Sequence, residues 1–248
     1  MIRISNQKLN PTSTPKKSCR SKAKREVMKS QVTIDGPVAS GKTAVGRSVS
    51  RALKWKFLDT GIMYRAATRT ILDLGISPEN NTQIIEVVKE TSIELDDSPD
   101  SERILIDGAD KTDTLRTPEI DRTVSIISKI PAVRKELVNQ QRIIARRGSI
   151  VMVGRDIGSV VLPEADVRLY LDASVEVRAE RRYREQAGTE NKLSLEQIQM
   201  DLENRDRIDR ERDDSPLEIH DFYIVIETSS MNLQEVVSNI TDICKSKF

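Results

Sequence analysis

Gly36-Pro37-Val38-Ala39-Ser40-Gly41-Lys42-Thr43 is the stretch on which the reading of this chain turns. It matches G-x-x-x-x-G-K-[ST]. It lies between the apolar run Val32-Thr33-Ile34-Asp35 and a segment that places Val45, Val49, Ala52 and Leu53 on one helical face. A strand, a glycine-rich turn and a helix in that order make a phosphate-binding loop. The glycines let backbone N–H groups curl around phosphate oxygens, and the helix N-terminus adds partial positive charge. Lys42 then reaches the β- and γ-phosphates of a nucleotide, and the Thr43 hydroxyl can ligate Mg²⁺. The cradle runs from Gly36 to Thr43, with Ala44 following it into the helix.

Working outward, strands and helices alternate. Phe57-Leu58 reads as a second strand ending at Asp59-Thr60-Gly61, and a helix follows over about 63–74 with Gly75 as its stop. Residues 76–130 change character. An amphipathic helix (Ile84, Ile85, Val88) leads to two short strands near 92–95 and 103–106, with Asp107-Gly108 as turn chemistry. A hairpin within an alternating pattern predicts an inserted unit at about 76–130, between core segments 31–75 and 131–248. Pro131 opens a helix with Val133, Leu137 and Ile144, and 150–153 and 167–171 are short apolar runs, as buried parallel strands should be. Ser174 can cap one helix, and Ser194 with Gln197 forms a capping box for the next. A last strand at 223–226 precedes a helix from Asn232 carrying Leu233, Val236, Val237, Ile240 and Ile243. The expected fold is α/β: a five-stranded, mostly parallel sheet with helices on both faces, plus a small inserted subdomain.

Composition narrows the chemistry. Of 248 residues, 37% are hydrophobic and 32% charged, as in soluble globular chains, and no apolar run reaches membrane-helix length. Cys19, Cys244 and the single histidine, His220, exclude a disulfide framework, His-triad hydrolysis and zinc–histidine sites. His220 reads as a loop residue after Pro216, and Cys244 lies beside the last helix's apolar stripe. One Trp, four Tyr and three Phe argue against base stacking as the main binding mode. Residues 1–30 hold nine Lys or Arg and one acid, Glu26, so they carry +8 of a total of +1 and leave −7 for residues 31–248. No nucleic-acid partner is therefore expected for the folded part. The leader 1–30 is expected to be disordered. It reads as a basic tail without a defined role, a transit peptide, a nucleic-acid contact, or sequence upstream of a true start at Met28. It lacks the apolar region of a secretory signal. A cytoplasmic monomer is the expectation.

A phosphate loop does not name a reaction. The guanine reader N-K-x-D is absent, because Asn191-Lys192 is followed by Leu193-Ser194. A compact chain with an insert suggests a small-molecule kinase. Leu58-Asp59-Thr60-Gly61-Ile62-Met63-Tyr64-Arg65 follows strand two at the carboxyl edge of the sheet, where α/β ligands bind. Gly61 permits a tight turn, and Tyr64 offers a ring with a hydroxyl. Arg65 either forks onto a phosphate or is simply solvated. Arg178, Arg181 and Arg182 share a helix face. They read as a lid over about 178–193, hinged near Gly188, or as a surface helix neutralised by Glu180, Glu185 and Asp172. In 194–212 the apolar stripe Leu195, Ile198, Leu202 continues as Arg205, Asp209, Arg212, with Arg207 and Arg210 off the line. That face leaves the core for solvent or for phosphates.

Three motifs in order are specific: Ile34-Asp35-Gly36-Pro37 with Gly41-Lys42, Leu58-Asp59-Thr60-Gly61 with Tyr64-Arg65, and Gly154-Arg155-Asp156-Ile157-Gly158-Ser159-Val160-Val161. With Arg116-Thr117-Pro118-Glu119-Ile120 and Pro131-Ala132-Val133-Arg134 they resemble the bacterial cytidylate kinase family of P-loop nucleoside-monophosphate kinases, over about residues 31–243. The resemblance implies transfer of a phosphoryl group from ATP, with Mg²⁺, to CMP or dCMP. In it, Thr60, Tyr64 and Arg65 hold the cytidylate, Arg155 clamps its phosphate and Asp156 reads the base. Ser125 and Arg134 contact cytosine, Arg205 and Arg212 meet phosphates, and Asp209 meets the ribose. Lys42, Arg178, Arg181, Arg205 and Arg212 would supply the catalytic charge. The chain departs from the family at Val153, where an acid usually precedes Gly-Arg-Asp. Asp35 then reads as a compensating metal carboxylate or as a capping residue. Two other functions stay open: a kinase for UMP or a non-nucleotide acceptor, which an acceptor panel distinguishes, and a nucleotide-binding regulatory module, which would form no CDP.

Overall fold

The computed structural model describes residues 29–186 and 193–248. Expectations for residues 1–28 and for Gly188 lie outside the described residues. The main sheet is fully parallel. β1 (Gln31–Asp35) is central, flanked by β6 (Ile150–Val153) and then β2 (Lys56–Asp59) on one side, and by β7 (Val167–Asp172) and then β8 (Ile224–Glu227) on the other. Both faces are covered, which explains the unbroken apolar strands. Along β6, Val151 and Val153 join the core under α1 (Lys42–Leu53) and α8 (Leu233–Lys247). Ile150 and Met152 join the opposite core with α2 (Thr60–Asp73), α3 (Asn81–Glu90) and α5 (Pro131–Ala145). Each large aliphatic side chain fully buried in these cores stabilises by roughly 1.5–3 kcal/mol.

A second, antiparallel sheet holds β3 (Ile93–Leu95), β4 (Ile104–Ile106) and β5 (Ala109–Asp110) in that order. The β4–β5 turn carries Asp107 at φ 49° and Gly108 at φ 78°, the pair of positive values that a tight hairpin of this twist requires. Its core of Ile104, Ile106, Leu115, Ile120 and Val124 closes against Ala66 of α2. β5 and α4 (Pro118–Ile127) are absent from the sequence reading. The signal for α4 was present: Thr117 accepts from the Ile120 N–H at 3.3 Å with Pro118 at the first helical position, ahead of Val124 and Ile127.

α2 begins at Thr60 rather than near 63, because Asp59 caps it by accepting from the Gly61 N–H at 3.0 Å. Gly61 is therefore helical and makes no tight turn. α6 (Val175–Glu185) and α7 (Leu195–Arg210) start at their expected caps, Ser174 and the Ser194–Gln197 box, and meet through Ala179, Ile198 and Leu202. Among the described residues no helix is long and apolar enough to cross a membrane.

Candidate active site

The carboxyl ends of β1, β2 and β6 open into one cleft of about 970 Å³, walled by α1, α2, α4, α6 and α7. Lys42, Arg155 and Arg205 all line it.

One end is the phosphate loop. At Gly36 the backbone passes so close to β7 that a Cβ would lie 2.1 Å from the Leu171 carbonyl oxygen. That approach lets the chain turn directly from β1 into the loop. The loop's crest is held from above. Val38 accepts from Arg178 at 3.0 Å through its carbonyl and donates to Asp206 at 3.3 Å through its N–H, while Arg178 and Asp206 pair at 2.7 Å, both buried. Lys42 donates to the Pro37 carbonyl at 2.5 Å and to Ser40 Oγ at 3.2 Å. Burial, and then the Arg155 charge, hold its ammonium well below the usual lysine range, against the opposing pull of Asp59, Asp35 and Asp209. An anion in the loop would offset both effects. Thr43 Oγ1 donates to Asp59 Oδ2 at 2.7 Å. Arg181 donates to Thr228 through its carbonyl at 2.6 Å and its hydroxyl at 3.2 Å, closing the far wall.

The other end is a network of arginines and carboxylates. Arg155 pairs with Asp209 at 2.8 Å. Burial works to lower the Arg155 pKa, yet Asp209 and more distant carboxylates raise it on balance. Asp156, buried, binds Arg134 directly and lies 3.7 Å from Arg212. Arg134 also lies 3.8 Å from Asp214, with its guanidinium 5.9 Å from the Tyr64 ring. Burial pushes the Tyr64 phenol up to about 12, so it stays protonated. Arg134 Nε and Arg212 Nη2 are buried without a hydrogen-bond partner. These two atoms face the Asp214 and Asp156 carboxylates at 3.8 and 3.7 Å instead. Arg65 meets Asp121 at 2.5 Å and donates to the Leu115 carbonyl at 3.1 Å.

A cleft with a triphosphate cradle at one end and cationic side chains at the other suits two anionic ligands placed end to end. The cytidylate kinase family model matches residues 32–246. The chain belongs to the cytidylate kinase family. It is 39% identical to a cytidylate kinase of Bacillus cereus (strain B4264) and 40% identical to one of Bacillus thuringiensis (strain Al Hakam). Each match spans 88% of this chain and 96% of the relative. A solved shikimate kinase from Acinetobacter baumannii, in complex with shikimate, aligns at 18% identity over 88% of this chain and 94% of that chain, with a TM-score of 0.44.

Set beside the cytidylate kinase pattern, the expected residues divide. Val38, Ala39, Ser40, Gly41, Lys42, Thr43, Ala44, Thr60, Tyr64, Arg65, Ser125, Arg134, Arg155, Asp156, Arg181, Arg205, Asp209 and Arg212 line the cleft, and Gly36 and Pro37 do not. Thr60 does so with its hydroxyl already donated to the Val153 carbonyl at 2.9 Å, where it ties α2 to β6. Arg178 does not line the cleft. Its guanidinium is engaged by Asp206, Ala173 and Val38. Arg178, Arg181 and Arg182 thus share a face in sequence but diverge in space, and Arg182 and Arg184 pair with Glu185 and Glu180. Arg212 lies beyond the end of α7.

Asp35 is a capping residue. Its carboxylate accepts from the Ile157 and Gly158 N–H groups at 2.8 and 2.7 Å and from the Tyr223 hydroxyl at 2.9 Å. These bonds fix the single π-type turn Ile157–Val161 and the Arg155-Asp156 backbone before it. Burial raises its pKa to about 6. Val153 is buried in the apolar core beside Val45 and Phe57. The sequence reading gave no role to three carboxylates, Asp59, Asp121 and Asp206. Asp206 lies four residues beyond Leu202 on the Ile198–Leu202 stripe, a visible signal. Asp59 stood within the Leu58-Asp59-Thr60-Gly61 motif at a strand end.

Proposed function

We propose that donor and acceptor nucleotides meet head-on in this cleft, the ATP triphosphate on the Lys42 loop and the acceptor's phosphate among Arg155, Arg205 and Arg65. The chain is an ATP-dependent (d)CMP kinase. An oxygen of the CMP or dCMP phosphate attacks the γ-phosphorus of ATP, the bond from that phosphorus to the β–γ bridging oxygen breaks, and ADP leaves with CDP or dCDP formed. The attacking oxygen is already anionic, so no general base is required. Such a transfer needs in-line positioning and neutralisation of the transferring oxygens. Lys42, Arg181, Arg205 and Arg212 supply that positive charge. The observation that carries this reading is that one cleft joins the phosphate loop to the arginine–carboxylate network.

Base choice falls to Asp156, Ser125 and Arg134. Cytosine offers an amino donor beside ring-nitrogen and carbonyl acceptors, which a carboxylate, a hydroxyl and a guanidinium can meet. Uracil reverses two of these, the exocyclic group and the ring nitrogen, and leaves buried groups unpaired. Asp209 holds the ribose. The Thr43 hydroxyl and the Asp59 carboxylate form the hard-oxygen donor set that Mg²⁺ takes. These two residues would hold it, and there it would draw charge from the donor phosphates. Asp35 does not line the cleft and its carboxylate accepts three hydrogen bonds from the Ile157 turn and Tyr223, so this reading gives the metal to Asp59.

This reading takes the acceptor-binding insert as about 76–130 and the core as 31–75 and 131–248; of the lid expected over about 178–193, residues 187–192 lie outside the described residues. The −7 charge of residues 31–248 favours free nucleotides over nucleic acid. Both ends of the cleft come from one chain, which suits a monomer, and a cytoplasmic site fits its substrates. The test is an acceptor panel with purified protein and ATP. CMP and dCMP should outpace UMP and AMP by at least a hundredfold in kcat/KM, and comparable UMP turnover would defeat the base assignment.

A further inference from the structure

Asp121 has no part in the reaction just described and does not itself line the cleft, yet it pairs with arginines that do. It sits in the first turn of α4. Three guanidiniums from three other helices converge on its carboxylate: Arg65 of α2 at 2.5 Å, Arg205 of α7 at 3.7 Å and Arg182 of α6 at 3.8 Å. Two of these are the arginines read above as binding the acceptor's phosphate. The surroundings of Arg205 are otherwise strongly cationic. Burial and the neighbouring Arg155 and Arg65 charges lower its pKa, while Asp121 and Asp209 work to raise it. Guanidiniums gathered this closely repel one another unless an anion lies among them. With no nucleotide bound, Asp121 is that anion.

A carboxylate and a phosphate cannot both face the same forks of Arg65 and Arg205 without repelling each other. We infer that Asp121 is a built-in stand-in for the acceptor's phosphate: it holds Arg65 and Arg205 in place until CMP arrives, and CMP must displace it to bind. The inference rests on the acceptor reading of those two arginines. Its consequence is quantitative. Acceptor affinity is reduced by the fraction of molecules in which the arginines are already paired. Asp121 and its partners are partly exposed, so that reduction is about threefold to tenfold.

The test is Asp121→Asn, which keeps the side chain's shape and removes its charge. At saturating ATP, KM for CMP should fall about threefold to tenfold, with kcat the smaller change and KM for ATP unmoved. Inorganic phosphate, used as a probe competitive with CMP, should bind more tightly by a similar factor. A purely structural role for Asp121 would not tighten anion binding. Asp121→Ser, checked with D121N for an unchanged unfolding midpoint, should move KM the same way. Arg65→Ala and Arg205→Ala run beside them as controls. If both raise KM for CMP while D121N leaves KM and phosphate inhibition unchanged, the stand-in is refuted and the acceptor reading survives. A higher KM in D121N also refutes it, since Asp121 would then be orienting the arginines for the phosphate. If neither arginine variant moves KM for CMP, the acceptor reading fails and the inference falls with it.

Discussion

At the phosphate-loop end of the cleft the parts are held by one another. Gly36 is seated against Leu171, the loop crest is bolted by Arg178 and Asp206, and Thr43 is bonded to Asp59. At the end proposed for the acceptor, charged side chains are held by pairing with one another. Arg155 leans on Asp209, Arg65 and Arg205 on Asp121, and Arg134 and Arg212 on Asp156, with buried donors still unmatched. A triphosphate can be gripped by a rigid run of backbone N–H groups, which needs few charges. A monophosphate with a base to be read must be gripped by side chains, and these need counter-charges when the ligand is away.

That contrast can be broken at its strongest point first. Lys42→Ala should lower kcat for CDP formation about a thousandfold, with KM for CMP little changed. A loss confined to KM for CMP would place Lys42 at the wrong end. Arg178→Met should act on stability instead, costing about 3–5 kcal/mol in urea unfolding because Asp206 is left buried and unpaired. If unfolding is unaffected and only kcat drops, Arg178 is a catalytic arginine after all. Asp59→Asn should raise the Mg²⁺ concentration for half-maximal rate about tenfold, whereas Val153→Asp should lose stability without easing the Mg²⁺ requirement. The reverse pattern would return the metal to position 153.

The smallest effect concerns acid. Burial pushes the Asp209 carboxyl up, but the Arg155 charge and hydrogen bond outweigh this and hold it below the ordinary range. A carboxylate depressed in the folded state contributes stability that is complete above its unfolded value, near pH 4, and is lost as pH falls through the lower folded one. Asp209→Asn should therefore flatten the acid limb of the stability curve below about pH 4. An identical limb would mean that the pair carries no acid sensitivity.

The amino-acid sequence alone determined the five strands of the main sheet in order with most of the helices between them, the caps at Ser174 and Ser194, the phosphate loop, and through its motifs the family. These are short-range properties. Side-chain periodicity, turn chemistry and a loop whose binding atoms are backbone are all written within about ten residues. Even α4, unread at first, was marked by Thr117-Pro118. The tertiary structure alone decided what each charged side chain does. Asp35, Asp59, Asp121 and Asp206 look alike in sequence. One caps the turn before which Arg155 and Asp156 stand, one faces Thr43, one answers the acceptor arginines and one bolts the loop. Arg178 and Arg181 lie three residues apart, yet only Arg181 lines the cleft. Electrostatic pairing depends on distances of a few ångströms between segments far apart in the chain, such as Asp35 with Ile157 or Arg155 with Asp209. Only packing the helices onto the sheet sets those distances.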